Sequence, residues 1–137
     1  MAIERLNPDG LHATPGYHHV TIVDAGRTAY LAGQCPLDSD GHVVGTTPDE
    51  AGLATQVDQV AANGLIALAA AGAAPDDVIR SVIYVVSDDG AALASVWKRL
   101  NHSALAPAFT TASTLLGVSQ LGFRHQRVEL DLTAALH

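Results

Sequence analysis

Leu53, Val57, Val60, Gly64 and Leu68 step along the chain by 4, 3, 4 and 4, with Ala61 and Leu65 beside them. That spacing lays one apolar stripe along a helix of about five turns. Soon after comes VIRSVIYVV, residues 78–86, rich in β-branched side chains and read as a central strand. Gly72 ends the helix and Pro75 prevents its resumption. A one-sided helix followed by an apolar strand must lie on the sheet to which that strand belongs. Gly64 fits this geometry. It costs about 1 kcal/mol against alanine within a helix, and close approach to a sheet is the reason to keep it.

The remaining elements fall into place around this pair. Thr47 reads as the helix cap and Pro48 as its first residue, and Asp49 and Glu50 favour the positive end of the dipole. Residues 19–23 and 28–32 read as two strands of a hairpin, with Asp24-Ala25-Gly26-Arg27 as the turn. Residues 35–47 read as a loop, a short strand at Val43-Val44 and a second loop. Residues 91–103 form a second helix, with Leu93, Val96, Trp97 and Leu100 on one face, and Pro107 lies in the following loop. Residues 112–118 and 127–132 are the last two strands. Helices and strands mix without strict alternation, so the expected class is α+β, one domain over residues 1–137. Both helices cover one sheet face. The other face then needs a cover of its own, and a subunit interface is the expected one.

Composition excludes several classes. With 48% hydrophobic and 15% charged residues the chain is not disordered. No apolar run approaches the roughly 20 residues of a membrane helix. Glu4 and Pro8 stand where a signal peptide has its apolar stretch, so a cytoplasmic location is expected. Cys35 is alone, and no internal disulfide is possible. Seven Lys and Arg face fourteen Asp and Glu, a formal charge of −7, which argues against nucleic acid as the main partner.

The residues that could carry chemistry are few. His18 and His19 are adjacent, so on a strand they point to opposite faces and do not chelate one metal together. Either they are one surface and one half-buried histidine, or one of them stands beside Tyr17 at a pocket edge. HxH, HExxH and CxxC motifs are absent, and no metal is expected. Gly33-Gln34-Cys35-Pro36 ends a strand, where a glycine allows close backbone approach and Gln34 offers a donor and an acceptor. Cys35 has no neighbouring cation in sequence and reads as an inert thiol. Arg127, Glu129 and Asp131 share one strand face, a polar row that is either solvated or lines an interface cleft. In a cleft, Glu129 is the candidate acid or base, with Arg124 or Arg127 holding an anion.

Together these pieces resemble the RidA/YjgF family, also labelled endoribonuclease L-PSP-like, over nearly the whole chain. The resemblance rests on Pro15-Gly16-Tyr17, Ala32-Gly33-Gln34-Cys35-Pro36, Gln56, Asn63-Gly64-Leu65 and Ala70-Ala71-Gly72. It continues through Asp77-Val78-Ile79, Val82-Ile83-Tyr84-Val85 and Val128-Glu129-Leu130. It implies a chorismate-mutase-like mixed sheet with two helices on one face, and a homotrimer with ligand clefts between subunits. It also implies hydrolysis of 2-imino or enamine acids without a cofactor, using an arginine that grips the substrate carboxylate. Here Ser113 takes that arginine's place. A second placement, on Pro107-Ala108, puts Phe109 there, and neither supplies the cation. Ala32 and Ala94 also stand where relatives carry polar groups, while Tyr17 and Glu129 are kept.

The expected function is a RidA-like enzyme acting on an imine, enamine or related reactive intermediate, rather than a standard 2-iminobutanoate deaminase. Glu129 is the expected catalytic group. Tyr17, His18 or His19, Gln34 and Ser113 would line the pocket, with Arg124 and His125 as possible substitutes for the missing cation. The alternative is a ligand-binding or regulatory trimer that kept the cleft and lost the chemistry. Ribonuclease activity is weakened by the negative charge.

Overall fold

The structure is a computed structural model that describes residues 2–24 and 26–137. The strands are β1 Ile3–Leu6, β2 Val20–Val23, β3 Thr28–Tyr30, β4 Val78–Val86, β5 Ala112–Val118 and β6 Val128–Ala135. The helices are α1 Glu50–Ala70 and α2 Gly90–Leu100. Short 3-10 turns occupy Pro75–Asp77 and Ala106–Phe109.

The main sheet is mixed, in the order β3-β6-β4-β5. β4 and β5 are parallel, joined through α2, and every other pair is antiparallel. Both helices lie on one face. Val57, Val60 and Leu68 of α1 and Val96 and Leu100 of α2 bury themselves against Ile83, Val85, Val128, Leu130 and Leu132. The close approach expected at Gly64 is present. A Cβ there would stand 3.2 Å from Leu105 Cδ2 and 3.6 Å from Leu130 and Leu132. Arg99 of α2 forks onto the Asp58 carboxylate of α1 with two 2.8 Å hydrogen bonds. That contact lowers the Asp58 pKa. Being exposed, it adds at most about 1 kcal/mol.

The expected hairpin is replaced by a different pairing. β2 pairs with β1, Ile3 opposite Val23 and Leu6 opposite Val20, and β3 pairs with β6, Thr28 opposite Ala135. The strand 3–6, which the sequence reading does not assign, supplies β2's partner. The longer β6 supplies β3's, and Leu31 N–H donates to Leu132 O at 3.1 Å. Ala25, in the expected turn, lies outside the described residues. The β1-β2 ribbon is tied to the main sheet by hydroxyls. Thr111 donates to Ile79 O at 2.9 Å, so the 2.6 Å contact between Thr21 and Thr111 draws its proton from Thr21.

Other boundaries shift slightly. The α1 cap is Asp49, whose carboxylate accepts from Gly52 N–H at 2.9 Å and from the Thr47 hydroxyl at 2.8 Å. Val43 makes only a single bridge, with Leu37. α2 stops at Leu100 and β6 runs on to Ala135.

Gln56 is fully buried in α1 yet polar. Its Nε2 donates to Val44 O at 3.0 Å and His125 O at 2.9 Å, and lies 3.3 Å from Gly45 O. Its Oε1 accepts from Arg127 N–H at 2.8 Å. Each bond contributes about 1 kcal/mol net, and each backbone group left unpaired in the interior costs more. Gln56→Leu keeps the volume and removes every partner. It should lower unfolding free energy by about 2–4 kcal/mol, read as a lower urea midpoint, and an unchanged midpoint would remove this role.

Candidate functional site

Strand alternation sets where each candidate side chain can go. Ser113 of β5 lies opposite Ser81 of β4, and Ser81 lies opposite the buried Leu132 of β6, so Ser113 faces the helices. Glu129 lies opposite Tyr84, on the face turned away from them. The strongest two candidates therefore stand on opposite faces of one sheet.

Ser113 and Tyr17 share a cleft of about 380 Å³ between α2 and β5. Leu93, Ala94 and Trp97 form one wall, Leu115 the other, and Pro15 closes an end. Tyr17 and Trp97 meet edge to face, with ring centroids 6.2 Å apart. Trp97 in turn meets Phe109 at 6.1 Å. Phe109 is fully buried in the core. Of the two residues in line for the family's arginine, Ser113 is thus the one that reaches the cleft.

The Ser113 hydroxyl is already engaged. It donates toward Thr111 O at 3.1 Å and Phe109 O at 3.3 Å, and Ser81 Oγ stands 2.5 Å away. A hydroxyl has one proton. With that proton on main-chain carbonyls, the 2.5 Å contact is a hydrogen bond given by Ser81.

His18 and His19 do not line this cleft. His18 Nδ1–H donates to Thr110 O, and His19 Nε2–H donates to His12 O at 2.8 Å. Both histidines are half-buried and lie just before β2. His12, which the sequence reading passes over, holds the Tyr17 hydroxyl through Nε2 at 3.1 Å and packs edge-on against His19 at 4.6 Å. It is five residues from Tyr17 in a loop without periodicity, so no sequence pattern marks it.

Glu129 belongs to a second group. Its Oε1 accepts from Gln126 Nε2 at 3.1 Å and from the Cys35 thiol at 3.3 Å. A Cβ at Gly33 would fall 2.3 Å from Glu129 Oε2, so a larger residue there would push the carboxylate aside. Gln34 contributes mainly backbone. Its N–H donates to Leu130 O at 2.7 Å, while its side chain turns onto Ala32 O at 3.0 Å. Burial pushes the Cys35 thiol up to about 11, helped by its hydrogen bond to Glu129 and that carboxylate's charge. The thiol therefore stays protonated at neutral pH, as an inert cysteine should.

Arg124 and His125 form a third group, in the β5–β6 loop beside a cleft of about 450 Å³ shared with Phe123 and Gln126. His125 holds a left-handed backbone, φ 67°, and Gln56 takes its carbonyl. Arg127, the other anion candidate, donates instead to Asp49 O at 2.8 Å. Among the described residues one set of potential metal ligands stands together, Asp38, Asp40 and His42. Asp38 Oδ1 accepts from the N–H groups of both other residues at 3.0 Å, which is the hydrogen bonding of a local turn.

Two helices on one face of a mixed sheet, with ligand-sized clefts at its edge and loops, define the class of protein. Comparison with known proteins names it. The family model described as Endoribonuclease L-PSP matches residues 9–136. The chain belongs to that family, the RidA/YjgF group. A Yersinia pestis protein of unknown function from the conserved Rid family, YyfB, is 32% identical, with a TM-score of 0.86. The match covers 99% of this chain and 100% of that one. A second Yersinia pestis Rid protein, YyfA, is 22% identical with a TM-score of 0.65, covering 98% and 100%. The E. coli YjgF gene product is 21% identical with a TM-score of 0.62, covering 98% and 99%. These last two share the fold. No curated protein matches the chain.

The Cys35–Glu129 contact is open to test through the chain's only thiol. Glu129→Gln removes the charge that opposes thiolate formation, so the thiol should ionise at lower pH than about 11. It should remain above its ordinary 9.0, because burial is the larger cause and persists. The rate of alkylation by iodoacetamide against pH reads this directly. A profile that does not move would separate Glu129 from Cys35. The same raised value predicts that stability falls as pH climbs from 9.0 toward about 11, where the folded state holds a proton the unfolded chain releases.

Proposed function

We infer from membership of the Rid/YjgF family that the chain processes or binds a small molecule. We propose that this chain, a single domain, works as a trimer on an imine, enamine or related reactive intermediate that lacks a carboxylate anchor. The observation that carries this reading is Ser113. It lines the cleft, the family resemblance puts it in the place of the deaminase arginine, and its proton is already on main-chain carbonyls. The cleft has Tyr17 for a wall and no cation in its lining.

A second copy is part of the proposal. Glu129 cannot reach its own chain's Ser113 cleft through the sheet. The face that carries it also carries Val82, Tyr84, Val86 and Leu116, and Tyr30 at 81% exposure. Packing that face against neighbours would bury it and bring one copy's Glu129 toward another's cleft. In that setting Glu129 would position water or move a proton. Sedimentation at micromolar concentration should give a mass near three times 14.1 kDa. A stable monomer would remove the shared-site reading.

The structure also offers an observation for a non-catalytic role. Glu129 Oε1 already accepts two hydrogen bonds from its own chain, so the carboxylate is held in a structural contact. Glu129→Gln decides between the two readings. For an enzyme it should cut turnover of the true substrate by roughly 10² to 10⁴ while the trimer persists. A ligand-binding trimer would keep its affinity unchanged.

Deaminase activity on 2-iminobutanoate should be weak in either case. Replacing a charged, forked contact by a hydroxyl forfeits about 2–4 kcal/mol, a factor of roughly 30 to 1000. A coupled assay that generates the imine and follows its decay reads this loss. Decay as fast as with an arginine-bearing relative would defeat the prediction.

A further inference from the structure

The cleft between α2 and β5 says more about its occupant than the absence of one arginine. Among the described residues Tyr17 is the only ionisable side chain that lines it, and its hydroxyl is bound to His12 Nε2 at 3.1 Å. Trp97, the chain's single tryptophan, directs its indole N–H to Pro15 O at 3.4 Å. Each polar side chain at the cleft thus has a partner within the protein. What remains facing the space is carbon: the rings of Tyr17 and Trp97 and the side chains of Leu93, Ala94 and Leu115.

An anionic ligand entering such a space would lose its water, find no cation in the lining and meet the neighbouring copy's Glu129 carboxylate, which is strongly unfavourable. An apolar ligand would gain from burial on both walls. Tyr17, Trp97 and Phe109 already form a run of edge-to-face rings, at 6.2 Å and 6.1 Å, and a flat ligand would extend it. A volume of about 380 Å³ suits a small molecule.

We propose that this cleft binds an uncharged, flat and largely apolar molecule, held by ring stacking and burial rather than by an ion pair. This rests on the reading of the Ser113 cleft as the ligand site, and narrows its ligand class.

Benzamide and benzoate make a matched probe pair, equal in shape and different in charge. Trp97 emission reports occupancy of this cleft alone, since no other tryptophan is present. Benzamide should quench saturably, and benzoate should bind at least about tenfold more weakly, the loss expected for an unpaired buried charge. Ala94→Leu narrows the cleft and should abolish the benzamide response. Ser113→Arg should reverse the preference, and if it fails to fold the probe pair on the unaltered protein still decides.

Benzoate binding as tightly as benzamide would overturn the ligand class while leaving the cleft as the site. Arg124→Ala would then show whether that loop supplies the cation. Absence of quenching by either probe, with the assembly intact, would overturn the ligand class and the cleft reading together, as when a neighbouring copy fills the space.

Discussion

The loops around the sheet depend on one buried carboxamide, that of Gln56. An amide in a dry interior is stable only when its donors and acceptor are matched. Here the match is made across three segments. The Val44-Gly45 loop and the His125 carbonyl receive its N–H groups, and the Arg127 N–H binds its oxygen. α1 thereby fixes the chain entering β6 one residue before the strand begins. The left-handed backbone of His125 is held in the same way. From that anchor follows the register that sets Glu129 opposite Tyr84 and over Gly33.

The second constraint is the twofold alternation of the strands. It assigns Ser113 to the helix face and Glu129 to the other, so a single chain separates these two candidate residues. Each is then absorbed by its own surroundings. Ser113 joins Ser81 and the carbonyls before β5, and Glu129 joins Gln126 and Cys35. The cleft around Ser113 is apolar, with Ala94, Leu93 and Trp97 on the facing helix. A cleft with carbon walls and no charged side chain in its lining favours a ligand recognised by surface rather than by ion pairing.

Much of the fold is legible in the sequence because it is written in local periodicity. The stripe from Leu53 to Leu68, the run at 78–86 and the strand at 112–118 all have side chains whose spacing matches the element formed. The exchange of partners by β2 and β3 was not legible. A four-residue strand such as β1 carries too little pattern to stand out, and pairing is a choice between distant segments of similar composition. Thr47 and Asp49 show the same limit at smaller scale. The sequence reading puts the cap at Thr47, but the helix begins at Glu50, so the cap is Asp49, whose carboxylate accepts from Gly52 N–H and from the Thr47 hydroxyl.

By itself the sequence determined the helices, the central strand, the α+β class, the family and the absence of an arginine at the candidate site. These follow from side-chain volume, branching and spacing along the chain. Only the tertiary structure decided that Tyr17 and Ser113 share a cleft, that Glu129 lies across the sheet from it, that His12 holds Tyr17, and that His18 and His19 serve the backbone. Those are relations between residues far apart in the chain or in loops without periodicity. Strand register, sheet face and the direction of each hydrogen bond set them, and none of these has a signature in the spacing of residues along a single segment.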